Sequence, residues 1–202
     1  MATIRDLRSR IVAVQKTQKI TRAMKMVAAA KLARATRQIQ AARPYAEKLR
    51  QVVGAVAGGV ETDIHPLLQA RDPVRTLEIV LFTSDRGLCG AYNSNLVKLA
   101  RGLVGERSGL VEKILLTPVG RRGGDAFRRD RRVSMEHAFN GLGTVNPGQA
   151  RQIADEVMRR YREEEVDEVV LVYSEFKSAL TQTPAHERLL PLQPEQVEEA
   201  AG

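Results

Sequence analysis

Sixteen positions between Ile4 and Val56 recur in alternating steps of three and four residues: Ile4, Leu7, Ile11, Val14, Gln18, Thr21, Lys25, Ala28, Leu32, Ala35, Ile39, Ala42, Ala46, Leu49, Val53 and Val56. The mean step is about 3.5 residues, the period of a left-handed coiled coil. Kept up without a break, it predicts one helix of about 80 Å at about 1.5 Å per residue. No domain that a chain of 202 residues builds has room for such a helix inside it. The seam demands a partner helix.

Thr3 is a good N-cap, and Asp6 stands where a capping box places its acid. Pro44 lies inside the periodic stretch, so a kink is expected near Ala41 to Pro44, with the helix continuing through Leu49, Val53 and Val56. Gly58-Gly59 is the expected stop. Gln18, Thr21 and Lys25 interrupt the seam with polar groups, which fixes register at some cost in stability. Around them, Ile20, Ala23, Met24, Met26, Val27, Ala29 and Ala30 are apolar off the seam. A helix that is apolar most of the way round is normally buried. This collar therefore reads either as a core segment or as a helix enclosed by a ring of partner protein.

The net charge of +8 is unevenly placed: residues 1–50 hold thirteen Lys and Arg against Asp6 and Glu47, a net of +11, leaving −3 on the other 152 residues. The helix is the basic part, and its partner surface should be acidic. The basic residues are interleaved along the seam, not clustered ahead of a zipper, so nucleic acid is not the expected partner. No apolar run approaches the roughly 20 residues of a membrane span, and the N-terminus lacks a signal-peptide core. Cys89 is the single cysteine, which excludes an internal disulfide and fits a reducing compartment.

Beyond the helix the pattern changes. Residues 59–74, with His65-Pro66 and Asp72-Pro73, read as a linker. Leu77 to Thr83 is a strand buried on both faces, Ala91 to Val104 a helix, Glu112 to Val119 a second strand and Gly120 to Arg129 a short basic helix. Val133 to Phe139 is expected as a third short strand. Asn146 caps a helix that starts at Pro147, runs to about Glu164 and packs through Ala150, Ile153, Val157 and Tyr161. Glu168 to Ser174 is another buried strand, and Pro184 and Pro191 confine 181–192 to an edge. Strand–helix alternation over 75–192 predicts an α/β fold, a mostly parallel sheet with helices on both faces. Residues 193–202 have the proline and acids of a helix first turn, the expected start of a further, truncated helix.

The turn Thr83-Ser84-Asp85-Arg86-Gly87-Leu88-Cys89-Gly90 joins a strand to a helix, where a glycine-rich turn can bind phosphate. It lacks the Lys-Ser/Thr of a P-loop and the third glycine of a dinucleotide fingerprint, so a tight structural turn is the plainer reading. Cys89 as a nucleophile would need a base. His65, His137 and His186 fall in a linker, a strand and an edge segment, without metal-ligand spacing, and a buried structural cysteine is the simpler assignment. The Glu163-Glu164-Glu165 run reads as a solvated helix end.

Three segments together resemble one family: Ile20 to Lys31 (ITRAMKMVAAAK), Thr83 to Asn93 (TSDRGLCGAYN), and Ala179-Leu180-Thr181-Gln182 followed by Leu189-Leu190-Pro191-Leu192. They are similar to the gamma subunit of the F-type ATP synthase, over residues 1 to about 192. The resemblance implies a central rotor shaft, part of the F1 sector, that couples proton flow to ATP synthesis. Its N-terminal helix (1–58) would pair antiparallel with a C-terminal helix and penetrate the ring of alpha and beta subunits. A Rossmann-like domain would sit beside the epsilon subunit and the c-ring. The family holds no catalytic residue, nucleotide or cofactor in this subunit, and meets the bacterial inner membrane, on its cytoplasmic face, only through the complex. Ile20, Met24, Lys25, Met26, Val27 and Ala30 would face the bearing, and Arg8, Lys25 and Arg34 would meet acidic loops of the beta subunits. Asp85, Arg86, Gly87, Cys89 and Gly90 would form a structural turn or coupling loop. The alternative from another class is a small nucleotide-binding or thiol enzyme built on the Gly87–Gly90 turn.

Overall fold

The computed structural model describes residues 3–59, 65–141 and 147–192, with side chains omitted at 56–59. The Val56 side chain, the Asn146 cap, linker residues 60–64 and the helix start at 193–202 lie outside the described residues. The chain divides into two compact units, Met1–Arg50 and Gln51–Gly202.

The expected long helix is one element, α1 (Ile4–Gly59), continuous through Pro44. Its start is a reciprocal capping box: Thr3 N donates to Asp6 Oδ2 at 3.0 Å, and Asp6 N donates to Thr3 Oγ1 at 3.2 Å. The Thr3 hydroxyl, 2.7 Å from Asp6 Oδ2, and then the Thr3 amide hold the Asp6 carboxyl below its ordinary range. The helix includes both Gly58 and Gly59, the residues expected to stop it.

The second unit is built on a four-stranded sheet. Its strands are β1 (Thr76–Phe82), β2 (Lys113–Val119), β3 (Glu168–Phe176) and β4 (Gln182–Leu190). The order is β2-β1-β3-β4, with β1 parallel to β2 and β3, and β4 antiparallel on the edge. Pro184 sits in that edge strand, where a missing N–H is tolerated. The helices are α2 (Tyr92–Arg107), α3 (Arg121–Phe127) and α4 (Pro147–Arg162). The chain moves one way from β1 to β2 and the other way from β2 to β3. A single crossover hand then puts the connecting helices on opposite faces, and the two cores show this. Leu77, Ile79 and Leu81 of β1 pack with Leu96, Ala100 and Leu103 of α2 and Phe127 of α3. Val80 packs on the other side with Val157 and Tyr161 of α4, and with Val166 and Leu190. Each such fully buried aliphatic side chain stabilises by about 1.5–3 kcal/mol.

One buried charge pair crosses the second core. Glu78 of β1 and Arg160 of α4 are both 0% exposed, and Arg160 Nη1 lies 2.6 Å from Glu78 Oε1. Thr117 of β2 donates to the same Glu78 oxygen at 2.6 Å, and Arg160 Nε meets Glu156 Oε1 at 3.1 Å. Burial pushes the Glu78 carboxyl up, against the pull of the Thr117 hydrogen bond and the Arg160 charge.

Two local expectations need correction. Val133 to Phe139 is not a strand: it touches β2 at two isolated bridges, Ser134 with Leu115 and Phe139 with Val119. Between them Glu136 and His137 reach for charges, Lys113 at 2.7 Å and Glu156 at 3.6 Å, so the segment covers β2's outer edge without continuing the ladder. Ala150 is exposed, because α4 buries side chains only from Val157 onward. The Glu163–Glu165 run is exposed at the end of α4, as expected, and there Glu163 and Glu165 both pair with Arg159.

Candidate functional site

On α1 the collar residues lie in the open. Ile20, Met24, Met26 and Val27 are 50–63% exposed, and Ala30, Arg8, Lys25 and Arg34 are exposed too. The seam itself is uncovered: Ile4, Leu7, Ile11, Val14, Leu32, Ile39 and Leu49 are 36–73% exposed. The polar interruption at Thr21 is satisfied within the helix, since its hydroxyl lies 3.0 Å from both the Thr17 and the Gln18 carbonyl. Covering this face therefore would not strand the Thr21 hydroxyl without a partner. The result is a stiff rod whose apolar surface wraps beyond one stripe between Ile20 and Ala30, flanked by cations.

The second candidate is the turn at the end of β1. The sequence brings Asp85, Arg86, Gly87, Cys89 and Gly90 together because Leu88 (φ 63°) and Gly90 (φ 58°) adopt left-handed backbone. The polar groups of the turn are engaged within the domain. Thr83 Oγ1 accepts Gly123 N at 2.8 Å, Ser84 O accepts Arg122 N at 3.1 Å and Asp85 Oδ1 accepts Arg121 N at 3.1 Å. These three acceptors take the first amides of α3, the groups that a bound anion would otherwise use. Asn93, at the start of α2, accepts Ser84 N at 3.0 Å and donates to the Cys89 thiol at 3.1 Å. The Ser84 hydroxyl donates to the Arg86 carbonyl at 2.5 Å. Gly87 lies against Arg122: a Cβ there would be 3.0 Å from the guanidinium. Cys89 is exposed, not buried as expected, because the left-handed residues on either side lift it out of the domain.

Sequence reasoning placed Thr83, Ser84 and Asn93 within the motif without giving them a role, and missed Gly120. Gly120 has φ 108°, and a Cβ on it would stand 2.3 Å from the Thr83 carbonyl oxygen. The available signal was the pairing of a hydroxyl at one strand end with a glycine at the end of its neighbour.

Comparison with known proteins agrees with both units. Residues 3–202 match the family model described as ATP synthase. The ATP synthase gamma chain of Chlorobium phaeobacteroides (strain BS1) is 45% identical over 202 residues, covering 98% of this chain and 68% of that protein. The gamma chain of Moorella thermoacetica is 47% identical over 194 residues, covering 95% of this chain and 67% of that one. Among solved structures, a chain of the Tetrahymena thermophila mitochondrial ATP synthase central stalk and c-ring matches with a TM-score of 0.66 at 28% identity, over 85% of this chain and 72% of its own length. A long helix with an exposed apolar seam and collar, an α/β domain with a capped strand-end turn and these sequence identities converge on one assignment: the chain belongs to the ATP synthase gamma-chain family.

Proposed function

We propose that this chain is part of the rotary shaft of an F-type ATP synthase, with α1 turning inside the ring of alpha and beta subunits. The α/β domain would lie beside the epsilon subunit and the c-ring. Proton flow through the membrane sector would turn the shaft and drive the catalytic subunits through their cycle. The chain itself would carry no catalytic residue, and it would meet the membrane from the cytoplasmic face only through the complex. Residues 1–58 would be shaft, 59–74 linker, 75–192 the α/β domain and 193–202 the start of the second shaft helix.

The observation that carries this reading is the continuous helix Ile4–Gly59, whose seam and collar are exposed together. A seam needs one helix alongside it, whereas a collar apolar on further sides needs protein around it. In this reading Ile20, Met24, Met26, Val27 and Ala30 are the bearing, and Arg8, Lys25 and Arg34 meet acidic loops of the surrounding ring. Asp85, Arg86, Gly87, Cys89 and Gly90 form a structural turn. The engagement of α3's first amides by Thr83, Ser84 and Asp85 supports that role over a nucleotide site.

In this reading the apolar face of the collar at Met24 slides without fixed polar bonds, while Lys25 on its flank supplies the charged contacts. A lysine at the collar would add a contact of about 1.5–3 kcal/mol, typical of a hydrogen bond to a charged group. Breaking it on each turn would slow rotation roughly tenfold or more. Met24→Lys should therefore lower ATP synthesis and hydrolysis in reconstituted complexes while assembly stays intact, whereas Leu7→Asp, on the seam, should impair assembly. Normal turnover by Met24→Lys would remove the bearing argument, and equal loss of assembly in both variants would erase the distinction between collar and seam.

A further inference from the structure

The segment before β1 has the composition of a loose linker, yet it is fastened tightly. Leu67 packs into the core beneath α4 and the end of β4. Four residues on, the Arg71 guanidinium donates to the Val166 carbonyl at 2.5 Å and to the Tyr161 carbonyl, and lies 4.5 Å over the Tyr161 ring. Asp167 stands 3.5 Å away on its flank. The Tyr161 hydroxyl answers by donating to the Gln69 carbonyl at 2.7 Å. Asp167 also accepts the Arg75 and Thr76 amides, at 2.9 and 2.8 Å, and so pins the first residue of β1. Arg71 thus occupies the C-terminal end of α4, where carbonyls lack helical partners and a cation is favoured.

The outgoing chain is tied to the same place. Leu192 N donates to the Leu67 carbonyl at 3.0 Å. Leu67 and Leu192, near the two ends of the described α/β stretch, therefore lie side by side. The pair sits at the end of the sheet where β1 and β3 begin, opposite the turn at 83–90, and in the rotor reading it is the crossing point between shaft and domain.

We infer that Arg71 is a positioning residue for torque, the rivet that makes this crossing point a stiff joint. The inference rests on the rotor reading. A single extended chain transmits tension but little twist, because its φ and ψ rotate freely and only the peptide bond resists rotation. Torque crosses a chain connection only where a second, off-axis attachment stops the swivel. The Leu67–Leu192 hydrogen bond supplies two attachments side by side, and Arg71 locks the incoming one to α4 and β3. Arginine suits this role because its planar fork meets two carbonyls at once while stacking on Tyr161, whereas lysine offers one flexible point charge.

The test uses the chain assembled with the alpha and beta subunits and the membrane sector. Arg71→Ala and Arg71→Lys are compared with Thr83→Val, which loosens the domain at the opposite edge by removing the Thr83–Gly123 bond. Three quantities are read: ATP hydrolysis, protons pumped per ATP hydrolysed, and amide exchange at Leu192 and Thr76. For Arg71→Ala, exchange at both amides should rise roughly tenfold, the local opening expected when charge-assisted bonds are lost. Hydrolysis should hold while pumping per ATP falls, with Arg71→Lys intermediate. Thr83→Val should leave the Leu192 amide and the pumping ratio at wild-type values. Faster exchange at Leu192 with an unchanged pumping ratio would overturn the rivet, as would an equal pumping defect in Thr83→Val. A wild-type assembly that hydrolyses ATP without pumping would sink the rotor reading instead.

Discussion

Arg160 offers the sharpest quantitative test of the α/β domain. Its charge is fully buried and reaches Glu78 at 2.6 Å and Glu156 at 3.1 Å, while Glu78 also holds the Thr117 hydroxyl at 2.6 Å. Replacing Arg160 with methionine keeps most of the volume but leaves the Glu78 carboxylate in an apolar layer. Breaking a buried pair from one side costs about 3–5 kcal/mol. For a domain of this size each kcal/mol shifts the melting temperature by roughly 4 °C, so Arg160→Met should lower it by about 12–20 °C. The companion experiment removes the whole polar set. Glu78→Leu, Thr117→Val and Arg160→Met together leave no stranded group, because Glu156 keeps Arg159 at 3.0 Å. That triple variant should recover most of the loss, since apolar replacement of a buried ion pair is commonly neutral or stabilising by about 1–4 kcal/mol. Calorimetry on the three single variants and the triple decides it. A triple variant as unstable as Arg160→Met, or an Arg160→Met variant costing under about 1 kcal/mol, would refute the claim that the stranded Glu78 charge accounts for most of the loss.

Two glycines make opposite predictions. Gly120→Ala forces a Cβ to 2.3 Å from Thr83 O at φ 108° and should cost several kcal/mol, with loss of α3. Gly102→Ala, in mid-α2 with open space before it, should stabilise by about 1 kcal/mol in the same unfolding assay. Hydrogen bonds from Arg159, then Arg160, hold the Glu156 carboxyl down at about 2, below its ordinary 4.5. Its folded value is depressed, so its stabilisation is complete above pH 4.5 and drains away as pH falls from there toward 2. Glu78 is shifted up and works in the opposite sense: above its ordinary 4.5, stability is lost as pH rises through the raised folded value. Glu156→Gln should therefore flatten the acid limb of a stability–pH curve, and an unchanged acid limb would show that other carboxylates control it.

What the sequence revealed and what it hid divide along a physical line. The helix from Ile4 to Gly59 was legible because a period repeats over dozens of residues and needs no tertiary information. The buried strands β1 and β3 were legible as apolar runs bounded by turn residues, and β4 as an edge strand from Pro184. Val133–Phe139 misled because its composition fits a strand, while pairing depends on whether β2 offers it a full edge, and Glu136 and His137 are drawn to charges instead. The polar contacts were invisible for another reason. Arg160 and Glu78 stand 82 positions apart, and Arg71 and Val166 stand 95 apart. Arg160 looks in the sequence like one more solvated charge on a helix, and Arg71 like one in a linker. Only the fold removes water from Arg160, and only the fold brings the C-terminal end of α4 to Arg71. These long-range polar contacts lock elements whose placement the apolar pattern had already decided. The surface assigned to the shaft runs the other way: its exposed residues were visible as a pattern from the start, because a surface built for a partner keeps the periodicity of a core without being inside one.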